Sequence, residues 1–303
     1  MSLRPSLPNQ QGGVSISSEI PGGTRGAAAP AIRVRVNERP MAVTAGTMLY
    51  ALRDRVKPQA DIVIRNGLPH AVDCALEAGD EVILIRRGEM PSEGEMEALM
   101  AARHGPGVHA KVKGARVGIA GCGGLGSAVA VALTRTGVGR LLLVDFDVVE
   151  PSNLNRQQFF VDQIGKRKTE ALAENLKRMN PYVAIEMRDM QLTRGNIAVV
   201  FGGCDVVAEC FDDPLSKREM TVAMRTGLPA TPLVTVSGIA GHGPAGRLGV
   251  RRVFKNIYLV GDRETAAGPG RGLLAPRVAV AAGHQANLIL RLMLGESLEE
   301  DLE

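Results

Sequence analysis

From about residue 32, the chain begins with short stretches in which apolar and polar residues alternate. The stretches IRVRV and MAVT have the period of two that is typical of half-buried strands, and a turn at 37–39 lies between them. The next stretch, TMLYALRDRV, places its apolar residues at helical spacing instead. Two more strand patterns, DIVIR and EVILI, follow beside the turns Asn66-Gly67 and Gly79-Asp80. This order predicts a small α+β unit.

A second pattern, in which helices and strands alternate, starts near residue 92. Ser92 followed by Glu95 has the spacing of a capping box, so we expect a helix over 92–104 that ends at the glycine-rich cluster 105–107. Beyond it, apolar stretches such as RVGIA and RLLLVD alternate with helical stretches such as SAVAVALTRT and KTEALAENLKRM. Nearly continuous apolar strands that alternate with helices predict an α/β fold, with a mostly parallel sheet and helices on both faces.

Composition separates the start of the chain from the rest. Residues 1–30 are rich in serine, proline, glycine and alanine. Such a segment cannot bury enough apolar surface to offset chain entropy, so we predict a flexible leader. The whole chain of 303 residues is 45% hydrophobic. It is therefore long and apolar enough to build a sizeable core.

The charges nearly cancel, with 36 basic and 32 acidic side chains and a net charge of +4. Dedicated nucleic-acid binders are usually more basic, so we expect no nucleic-acid partner. No apolar run reaches about 18 residues, and the N-terminus lacks a signal-peptide pattern. We therefore expect a cytoplasmic protein with no membrane partner.

The four cysteines, at positions 74, 122, 204 and 210, form no C-x-x-C pair. We expect neither a zinc site nor a disulfide framework from this spacing, and it fits a reducing cytosol. Cys122 is expected to pack inside a turn, in place of an aliphatic residue. Cys204 and Cys210 are expected to flank a buried strand as inert thiols.

A glycine-rich turn, GCGGLG at 121–126, connects the strand VGIA to the helix SAVAVAL. Glycines allow the backbone to approach phosphates closely, and the following helix offers free N–H groups and a positive dipole end. By itself, such a turn also fits simple packing of a strand on a helix. Asp145 ends the next strand about 24 positions after Gly121, close to the offset of roughly 20 residues expected of an acid that binds ribose hydroxyls. The two features together predict a nucleotide site.

Polar residues then crowd the loop after this strand, DFDVVEPSNLNRQ, which contains Asp147, Asn153, Arg156 and Gln157. In an open α/β sheet this loop lies at the ligand-binding end of the strands. A guanidinium can clamp triphosphate oxygens and an asparagine amide can orient them, whereas hydride transfer to nicotinamide needs no such cation. The loop therefore favours ATP over a nicotinamide cofactor.

Two family resemblances rest on these motifs. G-x-G-G-x-G-S followed by L-V-D-F-D and S-N-L-N-R-Q is similar to the ThiF/MoeB group of ubiquitin-activating-enzyme-like adenylyltransferases, over about 95–295. V-N-E-R-P, A-G-T-M-L and L-E-A-G-D-E-V-I-L-I resemble the ubiquitin-like β-grasp fold of the ThiS sulfur carriers, over about 32–88. The resemblances imply a leader at 1–30, a β-grasp domain at 31–90 and a Rossmann-like ATP-binding domain at 91–303.

The first resemblance also implies roles for single residues. Arg156 would bind phosphates, Lys168, in I-G-K-R-K, takes the position of the family's phosphate-binding lysine, and Asp212, in A-E-C-F-D-D, matches the acid that positions Mg²⁺. These three are the predicted catalytic residues. The residues implied to contact the nucleotide are Gly121, Gly123, Gly124, Gly126, Asp145, Asp147, Ser152, Asn153 and Asp213.

The implied reaction joins ATP to the Gly-Gly carboxylate of a separate small sulfur carrier in thiamine biosynthesis, releasing pyrophosphate, and the resemblance implies a homodimer. Attack of a carboxylate on an α-phosphate brings two anions together, so a lysine, an arginine and a metal ion must offset their repulsion. The chain's own β-grasp unit continues past Gly88. It therefore lacks a free Gly-Gly carboxylate, and we do not expect it to be adenylated.

The chain also departs from many relatives, because the zinc-binding C-x-x-C pairs and the cysteine of the crossover loop are missing. His242 stands in that loop and is expected to be a surface residue. Arg277 could touch substrate, but a helix cap or a surface salt bridge is the expected role. We therefore predict adenylation without a thioester or persulfide on this chain.

Three other functions remain open at this stage. The same site could adenylate a different carboxylate, on a molybdopterin-type carrier or a modified tRNA base. The chain could be a regulatory module, with its own β-grasp unit in the carrier groove and little turnover. An NAD-dependent dehydrogenase would use the same glycine turn but has no need for the N-L-N-R-Q loop.

Overall fold

The computed structural model describes residues 29–296 and 298, so that all but the last two residues of the predicted leader lie outside the described part. The first unit is a five-stranded sheet with one helix. Its elements are β1 (Ala31–Val36), β2 (Arg39–Thr44), α1 (Leu49–Val56), β3 (Ile62–Arg65), β4 (Leu68–Pro69) and β5 (Glu81–Ile85).

This sheet has the strand order β2-β1-β5-β3-β4. Its two central strands, β1 and β5, are parallel, and the outer pairs are antiparallel. Leu49 and Leu52 on α1 are fully buried against Val34 and Val36 of β1 and Leu84 of β5. The helix thus covers one face of the sheet, as in a ubiquitin-like β-grasp, and the predicted α+β unit is confirmed.

Two helices, α2 (Glu93–His104) and α3 (Pro106–Gly114), connect the units. The predicted capping box is present, because the Glu95 N–H donates to Ser92 Oγ and the Ser92 N–H donates to the Glu95 carboxylate. α2 ends where predicted, at Gly105, whose φ of 89° only glycine adopts readily. The sequence patterns missed α3, which begins directly after it with a proline in its first turn.

The second unit is built on a seven-stranded sheet of order β11-β12-β10-β9-β6-β7-β8. Every neighbouring pair is parallel except β11 and β12. Its strands are β6 (Arg116–Ala120), β7 (Arg140–Asp145), β8 (Ala184–Asp189), β9 (Val206–Glu209), β10 (Leu233–Val236), β11 (Gly249–Phe254) and β12 (Ile257–Gly261).

Helices cover both faces of this sheet, which confirms the predicted α/β fold. On one face lie α4 (Gly124–Thr136), α5 (Lys168–Met179) and α8 (Ala275–Leu294), and on the other α6 (Ile197–Phe201) and α7 (Pro214–Gly227). The chain passes from β6 through β7 to β8 on one side and then crosses back to β9 on the other. This reversal makes a crevice outside the carboxyl ends of β6 and β9, where ligands of such sheets bind.

The β-grasp unit is attached at the amino ends of the large-sheet strands, opposite the crevice. α2 packs on β3, β4 and β5 of the small sheet, and Glu95 accepts hydrogen bonds from Asn37 and Lys57. Glu93 and Glu97 on α2 form ion pairs with Lys113, which precedes β6, and the hydroxyl of Tyr182, which precedes β8, donates to the Pro91 carbonyl just before α2. The β-grasp unit is therefore held at the amino end of the large sheet.

Candidate active site

The glycine-rich turn follows β6 and has a shape that requires glycine at two positions. Gly121 has a φ of 91°, and a Cβ there would lie 3.2 Å from the carbonyl oxygen of Cys210. A Cβ on Gly126 would lie 1.8 Å from the Gly121 carbonyl oxygen, because α4 starts directly above the turn. Among the residues that the structure describes, no side chain caps the N-terminus of α4, which begins after the extended residue Gly123. Its first-turn N–H groups can therefore serve an anion.

Asp145, at the end of β7, ties this turn to the neighbouring loop. Its carboxylate accepts hydrogen bonds from the backbone N–H of Cys122 at 2.6 Å and from that of Asp147 at 2.8 Å. A carboxylate can accept about four hydrogen bonds. Asp145 therefore shapes the turn and keeps acceptor capacity, and its role in ribose binding stays a prediction.

The loop after β7 brings Arg156 to the start of α4. A Cβ on Gly124 would lie 3.3 Å from Cγ of Arg156, and the guanidinium donates to the carbonyl of Ser152 and the side chain of Asn155. Asn153 is buried instead, and its side-chain oxygen accepts the Glu150 N–H within its own turn at 151–153. The structure thus places Arg156 beside the glycine turn, while the Asn153 side chain stabilises the loop.

Lys168, the first residue of α5, has a side chain that is only 9% exposed. Its ammonium lies 2.7 Å from the Asp147 carboxylate. A lysine at a helix start is ordinarily a solvated surface residue, so this burial sets Lys168 apart from the exposed Lys166 next to it. The structure therefore joins two of the predicted site residues in one ion pair.

Asp212 and Asp213 follow β9 and are both exposed. The Asp213 carboxylate caps α7 by accepting the Ser216 N–H at 2.7 Å, and this hydrogen bond lowers the pKa of Asp213. Both aspartates line an open cleft of about 620 Å³. The other residues that line it are Asn155, Arg156, Ala267, Gly272, Leu273 and Leu274. Arg156 and Asp212 thus face one cleft, and Lys168 lies outside its lining.

Sequence reasoning missed Glu209, a fully buried carboxylate at the end of β9. It accepts hydrogen bonds from the Phe211 N–H, the Lys217 ammonium and the Thr235 hydroxyl. These contacts hold the segment that leads directly to Asp212. The signal was present in the sequence VVAEC, where a single carboxylate ends an otherwise apolar strand.

Arg277 and Asp262 form a second buried pair, beside the cleft. Their side chains are 4% and 7% exposed, and the atoms Nη2 and Oδ2 lie 2.6 Å apart. Arg277 also donates to the carbonyls of Gly243 and Pro244. Burial alone would raise the pKa of Asp262, but hydrogen bonds from the Thr265 and Glu264 N–H groups and the charge of Arg277 outweigh it and lower the pKa. The expectation of a cap or surface salt bridge for Arg277 was wrong, because the residue joins two loops from within.

The cysteines of the large unit are buried, as the sequence predicted. Burial raises the pKa of Cys204 to about 11 and raises those of Cys122 and Cys210 as well. His242 is exposed, as expected. Within the part of the chain that the structure describes, no group of three or more His, Cys, Asp or Glu side chains is arranged to hold a metal ion, and no helix is long and apolar enough to cross a bilayer.

Comparisons with known proteins bear directly on this arrangement. Residues 97–302 match the ThiF family and residues 32–88 match the ThiS-like ubiquitin family. Adenylyltransferase and sulfurtransferase UBA4 of Eremothecium gossypii is 31% identical over 195 residues, which are 61% of this chain and 43% of the relative. Ubiquitin-like modifier-activating enzyme 5 of Arabidopsis thaliana is 49% identical over 77 residues, 25% of this chain and 18% of the relative.

The chain spans less than half the length of these curated relatives. Among solved structures, Escherichia coli tRNA N6-threonylcarbamoyladenosine dehydratase, TcdA, in complex with ATP has a TM-score of 0.61 at 24% identity. That match covers 68% of this chain and 98% of the TcdA chain, and it shows a shared fold. The family match extends over more than half of the chain and contains the glycine turn, Arg156, Lys168 and Asp212. The chain therefore belongs to the ThiF family and carries a ThiS-like ubiquitin domain before its ThiF domain.

Proposed function

We propose that this chain uses ATP to adenylate the carboxyl terminus of a separate ubiquitin-like carrier. The observation that carries the proposal is the cleft at the carboxyl ends of β6 and β9, which Arg156 and Asp212 line together, with Arg156 lying against the start of α4. In the reaction, a carboxylate oxygen of the carrier attacks the α-phosphorus of ATP. The bond to pyrophosphate breaks, and a mixed anhydride of carrier and AMP remains.

The charges around the cleft suit this chemistry. The first-turn N–H groups of α4 and the guanidinium of Arg156 offset the phosphate charge, and preorganised donors of this kind lower the barrier most effectively. Mg²⁺, when bound with ATP, would neutralise further phosphate charge. Asp212 is the residue that would hold it, since an exposed carboxylate beside the phosphates is the hard oxygen ligand that Mg²⁺ prefers. Lys168 lies outside the lining of the cleft. Its ion pair with Asp147 fixes the loop that carries Arg156.

The position of the chain's own β-grasp unit supports a separate carrier as the substrate. That unit is held at the amino end of the sheet, whereas the cleft lies at the carboxyl end. Strands of five residues rise about 3.3 Å per residue, so about 16 Å of sheet separates the two ends. This arrangement leaves the cleft open to a carrier in trans and disfavours a function in which the fused unit occupies the carrier groove.

The finer identity of the substrate is also part of the proposal. We take it to be a Gly-Gly-ended sulfur carrier of the ThiS type, in thiamine biosynthesis, because the chain's own first domain belongs to the ThiS-like ubiquitin family. One relative is by its name a ubiquitin-like modifier-activating enzyme, which fits a protein substrate of this fold. We further propose that the protein is cytoplasmic and acts as a homodimer.

Exchange of labelled pyrophosphate into ATP, in the presence of candidate Gly-Gly carriers, tests the proposal. We expect carrier-dependent exchange that Asp212→Ala lowers by about 100-fold, the usual loss for a group that stabilises charge in the transition state. Asp54→Ala, a change of an exposed aspartate on α1 at the other end of the molecule, serves as the control and should leave exchange unchanged. Absence of exchange with every carrier would contradict the proposal, and exchange with a tRNA carboxylate or turnover of NADH would point to the other functions.

A further inference from the structure

A cluster of polar side chains outside the cleft surrounds Cys74, in the segment between β4 and β5. The sulfur of Cys74 lies 3.1 Å from Nη1 of Arg65 and 3.2 Å from Nε2 of His70. Cys74 is also partly exposed, whereas the other three cysteines are buried. Thiols that react are typically partly exposed and lie beside a cation or a base.

Arg65 is fixed in place by a carboxylate on its far side. Asp80 is 4% exposed, and its Oδ2 lies 2.9 Å from Nε and 2.8 Å from Nη2 of Arg65. Burial alone would raise the pKa of Asp80, but hydrogen bonds from the Glu77 N–H, Arg65 and Asn66 outweigh it and lower the pKa. The guanidinium is therefore held between an ionised carboxylate and the sulfur.

The proton of the Cys74 thiol has a defined destination. An arginine can only donate hydrogen bonds, so the sulfur must accept from Arg65, and a thiolate accepts better than a thiol. His70 is the group on the other side that can take the proton, through Nε2. A nucleophile in contact with a base, with a third group to stabilise its charge, is the arrangement of an activated thiol.

The backbone around the sulfur is held as well. The Cys74 carbonyl accepts the Leu49 N–H at 2.8 Å, and the Asp73 carboxylate accepts the Tyr50 N–H at 2.8 Å. Both contacts fasten the segment to the first turn of α1. The polar side chains that contact the sulfur or Arg65 are His70 from the segment after β4 and Asp80 from the turn before β5, with Arg65 itself on β3.

We propose that Cys74 is a nucleophilic thiol that undergoes exchange with small disulfides, with His70 as its base. The sulfur attacks one sulfur of a disulfide R–S–S–R, and a new S–S bond forms between Cys74 and R–S. The old S–S bond breaks, and the second R–S leaves as a thiolate that takes the proton held on His70. No net oxidation occurs, since one disulfide replaces another. The site lies in the β-grasp unit and does not depend on the adenylation reaction.

The test measures the rate at which the full chain releases thionitrobenzoate from 5,5′-dithiobis(2-nitrobenzoate) at several pH values. A positioned base that contacts the thiol typically raises the rate by about 100-fold or more. At each pH we therefore expect the unchanged protein to react much faster than a variant that lacks this base. Cys74→Ser should abolish the fast phase, and Cys204→Ser, at a buried thiol, should leave it unchanged.

His70→Gln separates a chemical role from a structural one. This change keeps a polar side chain of similar size and removes the base, so the rate at each pH should fall by about 100-fold. A melting temperature equal to that of the unchanged protein would show that the β-grasp unit is still folded. Equal rates with and without His70 at every pH would overturn the proposal.

Discussion

The two ends of the large parallel sheet hold their polar residues in opposite ways. At the carboxyl end, Arg156 and Asp212 line an open cleft, and Asp212 is exposed to solvent. At the amino end, Glu95 is 9% exposed and its carboxylate is shared between Lys57, Asn37 and the cap of α2. Charges at an open cleft suit a ligand that comes and goes, whereas a buried charge shared among several partners suits permanent attachment. The comparison therefore assigns ligand binding to one end and attachment of the β-grasp unit to the other.

The largest effect is expected from Arg277→Met, which tests whether the loops at the carboxyl end depend on their buried pair. The change leaves the Asp262 carboxylate buried without its cation, so we expect a loss of about 3–5 kcal/mol in the free energy of unfolding. Urea denaturation measures it. Arg188→Met removes an arginine from an exposed pair with Glu186 and should cost less than about 1 kcal/mol. Similar losses from both variants would mean that the buried pair does not anchor the loops.

Lys168→Met tests the ion pair with Asp147 at the same end. The charge-assisted hydrogen bond to Asp147 contributes roughly 1.5–3 kcal/mol to holding the loop that carries Arg156, so its loss should weaken ATP binding by about 10-fold or more. Stability should change little, because the Asp147 side chain is already half exposed in the ion pair and water can solvate it once Lys168 is gone. Titration calorimetry with ATP gives the dissociation constant. Lys166→Met, at the exposed neighbour that pairs with Glu174, is the matched control. An equal loss of ATP affinity in both variants would contradict a role for Lys168 in ATP binding.

Glu95→Ala tests the amino end. It removes the reciprocal cap of α2 and leaves Lys57 and Asn37 without their shared acceptor, so we expect the β-grasp unit to lose about 1–2 kcal/mol of stability. Hydrogen exchange of the amides in β1 and β5 reports that loss locally. Pyrophosphate exchange should stay unchanged, because the two ends are far apart. A parallel fall in exchange would break the comparison and place the β-grasp unit in the reaction.

Local sequence patterns predicted the elements that carry the cleft. They missed the contacts between segments that are far apart in sequence. The glycine turn, α5 starting at Lys168 and the strand before Asp212 follow from periodicity and motif spacing. The pair Arg277–Asp262 and the contact of Asn37 with Glu95 join residues that are far apart in sequence, so no local period reveals them. α3 was missed because a glycine and a proline usually end a helix, although a proline also suits the first turn of the next one.

The smallest effect is expected at His109 on α3, again at the amino end. Its side chain is buried, and neither ring nitrogen has a hydrogen-bond partner among the residues that the structure describes. Burial lowers the pKa of His109; the nearby charge of Glu97 opposes this, and those of His104 and Lys113 add to it. The unfolded chain therefore binds a proton more readily than the folded one, and stability falls as the pH drops below about 6.5.

For one proton, this loss has a ceiling of about 1.4 kcal/mol per pH unit. We expect His109→Leu to flatten the decline of the melting temperature between pH 7 and pH 5.5. His284→Ala, at an exposed position on α8, should keep the decline of the unchanged protein. Pyrophosphate exchange at pH 7 should be the same in all three proteins, because His109 lines the junction of α2 and α3 with the large sheet and lies at the end away from the cleft. If pyrophosphate exchange followed the titration of His109, the two ends of the sheet would be coupled. The assignment of independent roles to them would then be wrong.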